Sequence, residues 1–282
     1  MLIHSQEVKQ YVYLLDGSVS IENVDSLDKM TFENDNVVLT RENGESFSTP
    51  RAQIDLARMY QFSSLHTCWA ENVHNPAVPN GSMMDQQGNS YKTIVIGEQE
   101  WMAENLNTSL YRNGEAIPEI ESSVEWSSTQ SGAYCHFDNI STNACPYGKL
   151  YNWYACVNSR QLCPQGWHIP SDSEWSIVAN YLGGSSMAGS AMKSLGSVAT
   201  SNGLWLDSNL EATNNSGFSG IPGGYRSLNG SFTGFGLMGI FWSRNTSDSD
   251  GAYSRGLYAT GSSVERADDD RPNGYSVRCI KD

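Results

Sequence analysis

The stretch Cys163-Pro-Gln-Gly-Trp-His-Ile-Pro-Ser-Asp-Ser-Glu-Trp175 constrains the fold more than any other part of the chain. Ser171 followed by Glu174 forms a capping box: the serine oxygen accepts an orphan amide, and the glutamate reaches back to the cap. Pro170 disfavours helix at the residue before it, so Trp167-His168-Ile169 reads as a short extended segment. Trp175, Val178 and Leu182 then share one helical face, and Gly183-Gly184 ends the helix. The packet predicts cysteine, strand, tight corner and capped helix, with a tryptophan in the first turn pinning the helix onto a core.

The rest of the composition suits such a core. Charged residues are only 17% of the 282, against 39% hydrophobic, with 26 glycines and 8 tryptophans. This is the balance of a loop-rich, aromatic-cored globule and not of a disordered chain. A net charge of -14 makes nucleic acid and anionic membrane surfaces poor partners. No run is long and apolar enough to predict a membrane span. The six cysteines, Cys68, Cys135, Cys145, Cys156, Cys163 and Cys279, lack the close pairs of a zinc site. Disulfides in an oxidising compartment are expected instead. Met1-Leu2-Ile3 is followed at once by polar residues, so no leader is visible. The expectation is that a leader has been removed or that export takes another route.

Three segments are expected in order. Residues 1–65 read as a small β module of two similar units. Val24-Asp25 leads to Phe32 and Ile54-Asp55 leads to Phe62 at the same spacing, each after an extended run, Tyr11–Leu15 and Val37–Thr40. Asp16-Gly17 and Asn43-Gly44 are hairpin-type turns. Residues 66–82 read as a polar, proline-broken linker, whose His66 and His74 are weighed as metal ligands and set aside as isolated. Residues 83–282 form the main domain. Its expected strands are Tyr91–Ile96, Gly239–Ser243, Ala252–Tyr258, Ser263–Arg266 and Tyr275–Ile280. Short helices are expected near 148–157 and 188–195, and Asn229-Gly230 signals a hairpin. Cys135 and Cys145 bracket a polar loop that a local disulfide would staple.

Four ordered blocks then carry a resemblance: Tyr91–Leu106, Tyr147–Trp153, Cys163–Ser171 and Gly274–Cys279. Together they resemble the Fibrobacter succinogenes major paralogous domain over about residues 83–282, whereas residues 1–62 resemble Bacteroidetes surface β modules only generically. The resemblance implies a secreted or surface-anchored bacterial protein, lipoproteins included, with an α+β, C-type-lectin-like fold. That fold has two short helices and a twisted antiparallel sheet, is loop-rich, and here follows the small all-β module. It also places the chain near formylglycine-generating enzymes and the variable proteins of diversity-generating retroelements. In such folds the chain ends meet, which implies a Cys163–Cys279 bridge. Cys68 and Cys156 fall outside the family's usual four, and are expected to pair together or to remain as linker and buried thiols.

Candidate chemistry follows from both sources. A Cys163–His168 nucleophilic pair is disfavoured, because a strand sends the two to opposite faces. An oxidase of the formylglycine-generating type would need a late reduced cysteine pair, and only Cys279 lies late, so no catalytic residue is assigned. Calcium is the one candidate cofactor, with Asp248, Asp250, Asp268 and Asp270 as weak oxygen donors. The ligand-binding set is Tyr225, Arg226, Tyr253, Arg255, Tyr258, Arg266, Asp268 and Asp269, a mixture of aromatic, cationic and acidic groups suited to sugars or protein hot spots. Trp205 and Trp242 belong to the same mixture, but most of these aromatics suit a core equally well, and Trp242 sits in an apolar run that points to burial. The expected function is an extracellular, non-enzymatic, adhesion-like module that recognises a glycan or a host or bacterial surface protein. The alternatives are a phage- or retroelement-diversified receptor-binding protein with its variable surface at about 244–274, and a structural subunit of a surface appendage.

Overall fold

The computed structural model describes residues 73–200, 202–206, 209, 211–247 and 250–282, together with six strands between Val8 and Gln61. The chain divides into two units, Met1–Trp69 and Ala70–Asp282.

In the first unit the strands are β1 (Val8–Leu14), β2 (Val19–Asn23), β3 (Leu27–Glu33), β4 (Asn36–Arg41), β5 (Ser46–Pro50) and β6 (Ile54–Gln61). Their pairing differs from the two tandem units expected. β1 pairs antiparallel with both β2 and the distant β6, while β3, β4 and β5 form a separate meander. The spacing match between Val24–Phe32 and Ile54–Phe62 therefore does not mark equivalent positions: residues 27–33 begin the meander and 54–61 close the other sheet. Phe62 and both expected turns, Asp16-Gly17 and Asn43-Gly44, lie outside the described residues, as does His66.

The second unit mixes helices and sheet. Its first strands are β7 (Gly81–Met84), β8 (Ser90–Ile96) and β9 (Gln99–Met102), followed by α1 (Ser123–Ser128), β10 (Tyr134–Cys135), α2 (Ala144–Tyr147), β11 (Leu150–Asn152) and α3 (Trp153–Cys156). Next come β12 (Trp167–His168), α4 (Asp172–Tyr181) and α5 (Ser185–Met192). Seven further strands complete it: β13 (Gly223–Arg226), β14 (Phe232–Phe235), β15 (Met238–Thr246), β16 (Gly251–Tyr258), β17 (Glu265–Asp270), β18 (Gly274–Tyr275) and β19 (Ile280–Lys281). The class is α+β, with five α-helices among the described residues, where the resemblance implied two and the residue patterns pointed to three. Residues from Val73 onward belong to this unit, and Val73 is buried against Leu204 and Ile221.

Two sheets organise the unit. One runs β12-β19-β9-β8-β7; the other runs β10-β11-β18-β13-β15-β16-β17, with β14 paired to β13. Tyr275–Ile280 was expected as one strand, and the structure breaks it in two. β18 pairs with β11 and β13 in the second sheet, and β19 pairs with β12 and β9 in the first. Between them Val277 and Cys279 are buried, so this segment crosses the core from one sheet to the other.

The opening packet folds as its residues dictate. The Ser171 hydroxyl accepts from Glu174 N at 3.2 Å, and Glu174 Oε2 accepts from Ser171 N at 2.6 Å. Trp175 is buried beside Trp101, with ring centroids 4.7 Å apart, and Gly183 and Gly184 end α4 at φ 100° and 98°. Cys163 is bonded to Cys279 across a separation of 116 residues. Closing a loop of that length stabilises a fold by about 2–5 kcal/mol.

Two local expectations fail for tertiary reasons. Gly148–Val157 was expected as one helix, but Leu150 and Tyr151 pair with Cys135 and Tyr134, and Tyr151 also with Tyr275. Asn152 then caps α3, its side chain accepting from Ala155 N at 3.1 Å. The Cys135–Cys145 disulfide is also absent: Cys135 is a free, buried thiol in β10, while Cys145 is bonded elsewhere. Facing a packed cluster of Trp126, Phe137 and Leu150, Cys135 behaves as a small apolar side chain. Cys156 is likewise free and buried, and Cys68 lies outside the described residues.

Candidate functional site

The late strands β15, β16 and β17 place the predicted binding residues, and strand alternation divides them. In the ladder Phe241 faces Arg255 and Arg255 faces Arg266; one residue along, Trp242 faces Ser254 and Ser254 faces Ala267. Residues of one parity turn toward α4, and those of the other turn away from it.

Toward α4, Arg255 is 3% exposed, and its Nη1 lies 2.7 Å from Asp172 Oδ1. Its Nη2 donates to the Asp172 carbonyl at 3.1 Å and to Ser176 Oγ at 3.2 Å. The outer Arg266 donates from Nε to the same carboxylate at 3.0 Å, and its guanidinium lies 3.7 Å from the Tyr253 ring centroid. Burial alone would raise the Asp172 pKa, but hydrogen bonds from Arg266 and Arg255 outweigh it and hold the carboxyl below its ordinary value. Three predicted ligand residues, Tyr253, Arg255 and Arg266, are thus engaged in fastening the first turn of α4 to the sheet.

Arg226 is also structural. It is fully buried, donates to the Ile120, Glu121 and Gly230 carbonyls, and packs 4.5 Å from the Trp126 ring. Trp242 is buried, as its apolar run predicted, and donates to the Tyr151 carbonyl at 2.9 Å; Trp205 is buried too.

Away from α4 the sheet bears a groove of about 220 Å³. Its floor is buried Ile240, Ser254, Gly256 and Tyr275; its rim is Tyr225, Met238, Tyr258, Glu265, Ala267 and Asp269. The Tyr225 and Tyr275 rings meet edge to face at 5.6 Å, and Trp242 supports Tyr275 from behind at 4.3 Å. Asp269 accepts from the Ser254 hydroxyl. Tyr258 folds back along its own strand: a Cβ on Gly256 would stand 2.8 Å from Tyr258 Cε2, so a side chain at 256 would displace the ring from this position. The backbone of Tyr258 is held by buried Lys193, whose Nζ donates to the Tyr258 carbonyl at 3.1 Å and the Gly261 carbonyl at 2.9 Å. Burial pushes that ammonium down to about 8, against the field of Glu211. Burial also raises the Tyr258 phenol, aided by the negative fields of Glu265 and Asp269.

Of the eight predicted ligand residues the groove gathers Tyr225, Tyr258 and Asp269. Asp268 stands exposed on β17 opposite Tyr253, with the other parity. Sequence reasoning missed Ser254, Glu265 and Tyr275, although Ser254 shares the parity of Tyr258. Of the calcium candidates, Asp248 lies outside the described residues, and Asp250, Asp268 and Asp270 are exposed. Among the described residues no three acidic, histidine or cysteine side chains come together to hold a metal. The nucleophilic pair is not assembled either. Cys163 is spent in its disulfide, and His168 is held between Glu174 at 2.9 Å and Asp282 at 2.7 Å. His74 lies 3.4 Å from Glu104, with burial lowering its pKa.

Against this geometry the family comparison is specific. The Fibrobacter succinogenes major domain model matches residues 94–281, two thirds of the chain, and the chain belongs to that family. No curated protein and no solved structure matches it.

Proposed function

We propose that this member of the family is an extracellular, non-enzymatic, adhesion-like module with a lectin-like fold, which recognises a glycan or a protein surface through the outer face of its late strands. The observation that carries the reading is the groove on β15–β17. The sheet, whose strands β13 to β18 lie within the loop that Cys163–Cys279 closes, presents tyrosine rings and carboxylates on a face that α4 leaves uncovered. Aromatic faces with polar groups at their rim are how sugars and protein hot spots are held. The meeting of β19 with β9 in one sheet, which brings the late chain beside the start of this unit, supports the lectin-like reading. The bonded Cys163–Cys279 pair supports an oxidising compartment. It also engages the late cysteine that formylglycine-type chemistry would need reduced.

The test is an array of glycans and surface proteins, probed with the whole chain and with Tyr258→Leu. Binding by the parent and its loss in the variant is the expected result. Binding that Tyr258→Leu leaves intact would remove the groove from the reading.

A further inference from the structure

We propose that the groove receives a positively charged side chain, a lysine or arginine presented by a basic segment of a partner protein, among the rings of Tyr225 and Tyr258 and against the carboxylates of Glu265 and Asp269. The inference rests on the groove being the binding surface and adds the class of its ligand.

Charge is the first ground. Among the described residues neither Glu265 nor Asp269 forms an ion pair. The nearby arginines are committed elsewhere: Arg255 and Arg266 to Asp172 on the opposite face, and Arg271 to the Gly251 carbonyl and the Trp153 ring. The sheet supplies two negative charges to one small cavity and no counter-ion of its own. Asp269 is met by the hydroxyls of Ser254 and Tyr275 and exposed Glu265 by water, none of them charged; a cation would add the charge-assisted contact that a neutral sugar lacks.

Ring geometry is the second. Tyrosine faces attract ammonium and guanidinium groups, and the Tyr225 ring at the rim stands at 78° to the Tyr275 ring of the floor. Size is the third. At about 220 Å³ the groove falls below the roughly 300–1,000 Å³ of small-molecule pockets and suits one inserted side chain. The whole chain, at net charge -14, would steer a basic partner toward itself.

The experiment titrates the whole chain with an octalysine peptide, an octaglutamate peptide and a neutral glycan panel at about 0.1 M salt, where distant surface charges are screened. The expected result is octalysine binding that falls by about tenfold or more in Glu265→Gln with Asp269→Asn, and several-fold in Tyr258→Leu. Glu98→Gln with Glu125→Gln, an equal charge change at exposed sites elsewhere, should cost less than about twofold. Equal losses in the two double variants would overturn the proposal, since attraction would then follow net charge alone. A glycan that binds the parent, indifferent to Glu265→Gln with Asp269→Asn but lost in Tyr258→Leu, would overturn it while leaving the groove as a binding surface. No binding by any probe would overturn both.

Discussion

The two faces of the β15–β17 sheet use the same residue types for opposite purposes. Toward α4, tyrosine, arginine and aspartate pair among themselves: Tyr253 lies under Arg266, and both Arg255 and Arg266 close on Asp172. Away from α4, tyrosines and carboxylates stand without a cation. Cationic partners within the fold mark a face engaged in holding the protein together; on the outer face Asp269 is met only by neutral hydroxyls, which fits the proposed binding role. A list of aromatic and charged residues cannot make that distinction, but the pairing of each residue can.

Four perturbations would break or sharpen the contrast. The largest effect is expected from Trp175→Ala, beneath the inner face. Trp175 is 1% exposed and packs on Trp101, Phe218 and Phe241, so its loss should cost about 3–5 kcal/mol in denaturant unfolding. Arg255→Met should come next. It leaves Asp172 with Arg266 alone, and because that carboxylate is partly solvated the cost should be about 2 kcal/mol, read from the denaturation midpoint. Ligand binding by folded Arg255→Met should be unchanged; a loss would mean that the inner face takes part in recognition.

The third is a pH effect. The Asp172 pKa is depressed in the folded state, so its contribution is fully present above the ordinary carboxylate value of about 4 and is lost as pH falls through the lower folded value. Stability measured from about pH 5 downward should therefore fall less steeply in Arg255→Met than in the parent. Equal slopes would show that the pair does not set the acid limb. The smallest effect on stability is expected from Tyr258→Leu on the outer face: a change within about 0.5 kcal/mol, accompanied by loss of binding. A large destabilisation there would place Tyr258 with the inner, structural set.

Much of the framework was legible in the residues. The capping box at Ser171 and Glu174, the extended Trp167-His168 and the stop at Gly183-Gly184 are local chemistry, and they fold as local chemistry requires. The Cys163–Cys279 bond followed from family resemblance and is present. Failures came where distant partners decide. Leu150, Trp153, Tyr154 and Val157 have a helical spacing, yet ladder partners in β10 and β18 claim Leu150 and Tyr151. Cys135 and Cys145 are close in sequence, but β10 carries Cys135 into a packed cluster. The site was half legible. Period-two alternation already separates Tyr253 and Arg255 from Ser254 and Tyr258, and applying it would have split the predicted set and exposed Ser254. Glu265 and Tyr275 required the register between strands, which the sequence does not carry.

The bond between Cys163 and Cys279 has one more consequence. The groove strands all lie within the loop it closes. A protease that nicks an exposed turn there, such as the one after Thr260, would cut the backbone without freeing a fragment. The two pieces would migrate as one species until a reductant separates them. Damage to the groove strands would then leave the molecule whole in mass, and the nicked segment would stay tethered where an open chain would shed it.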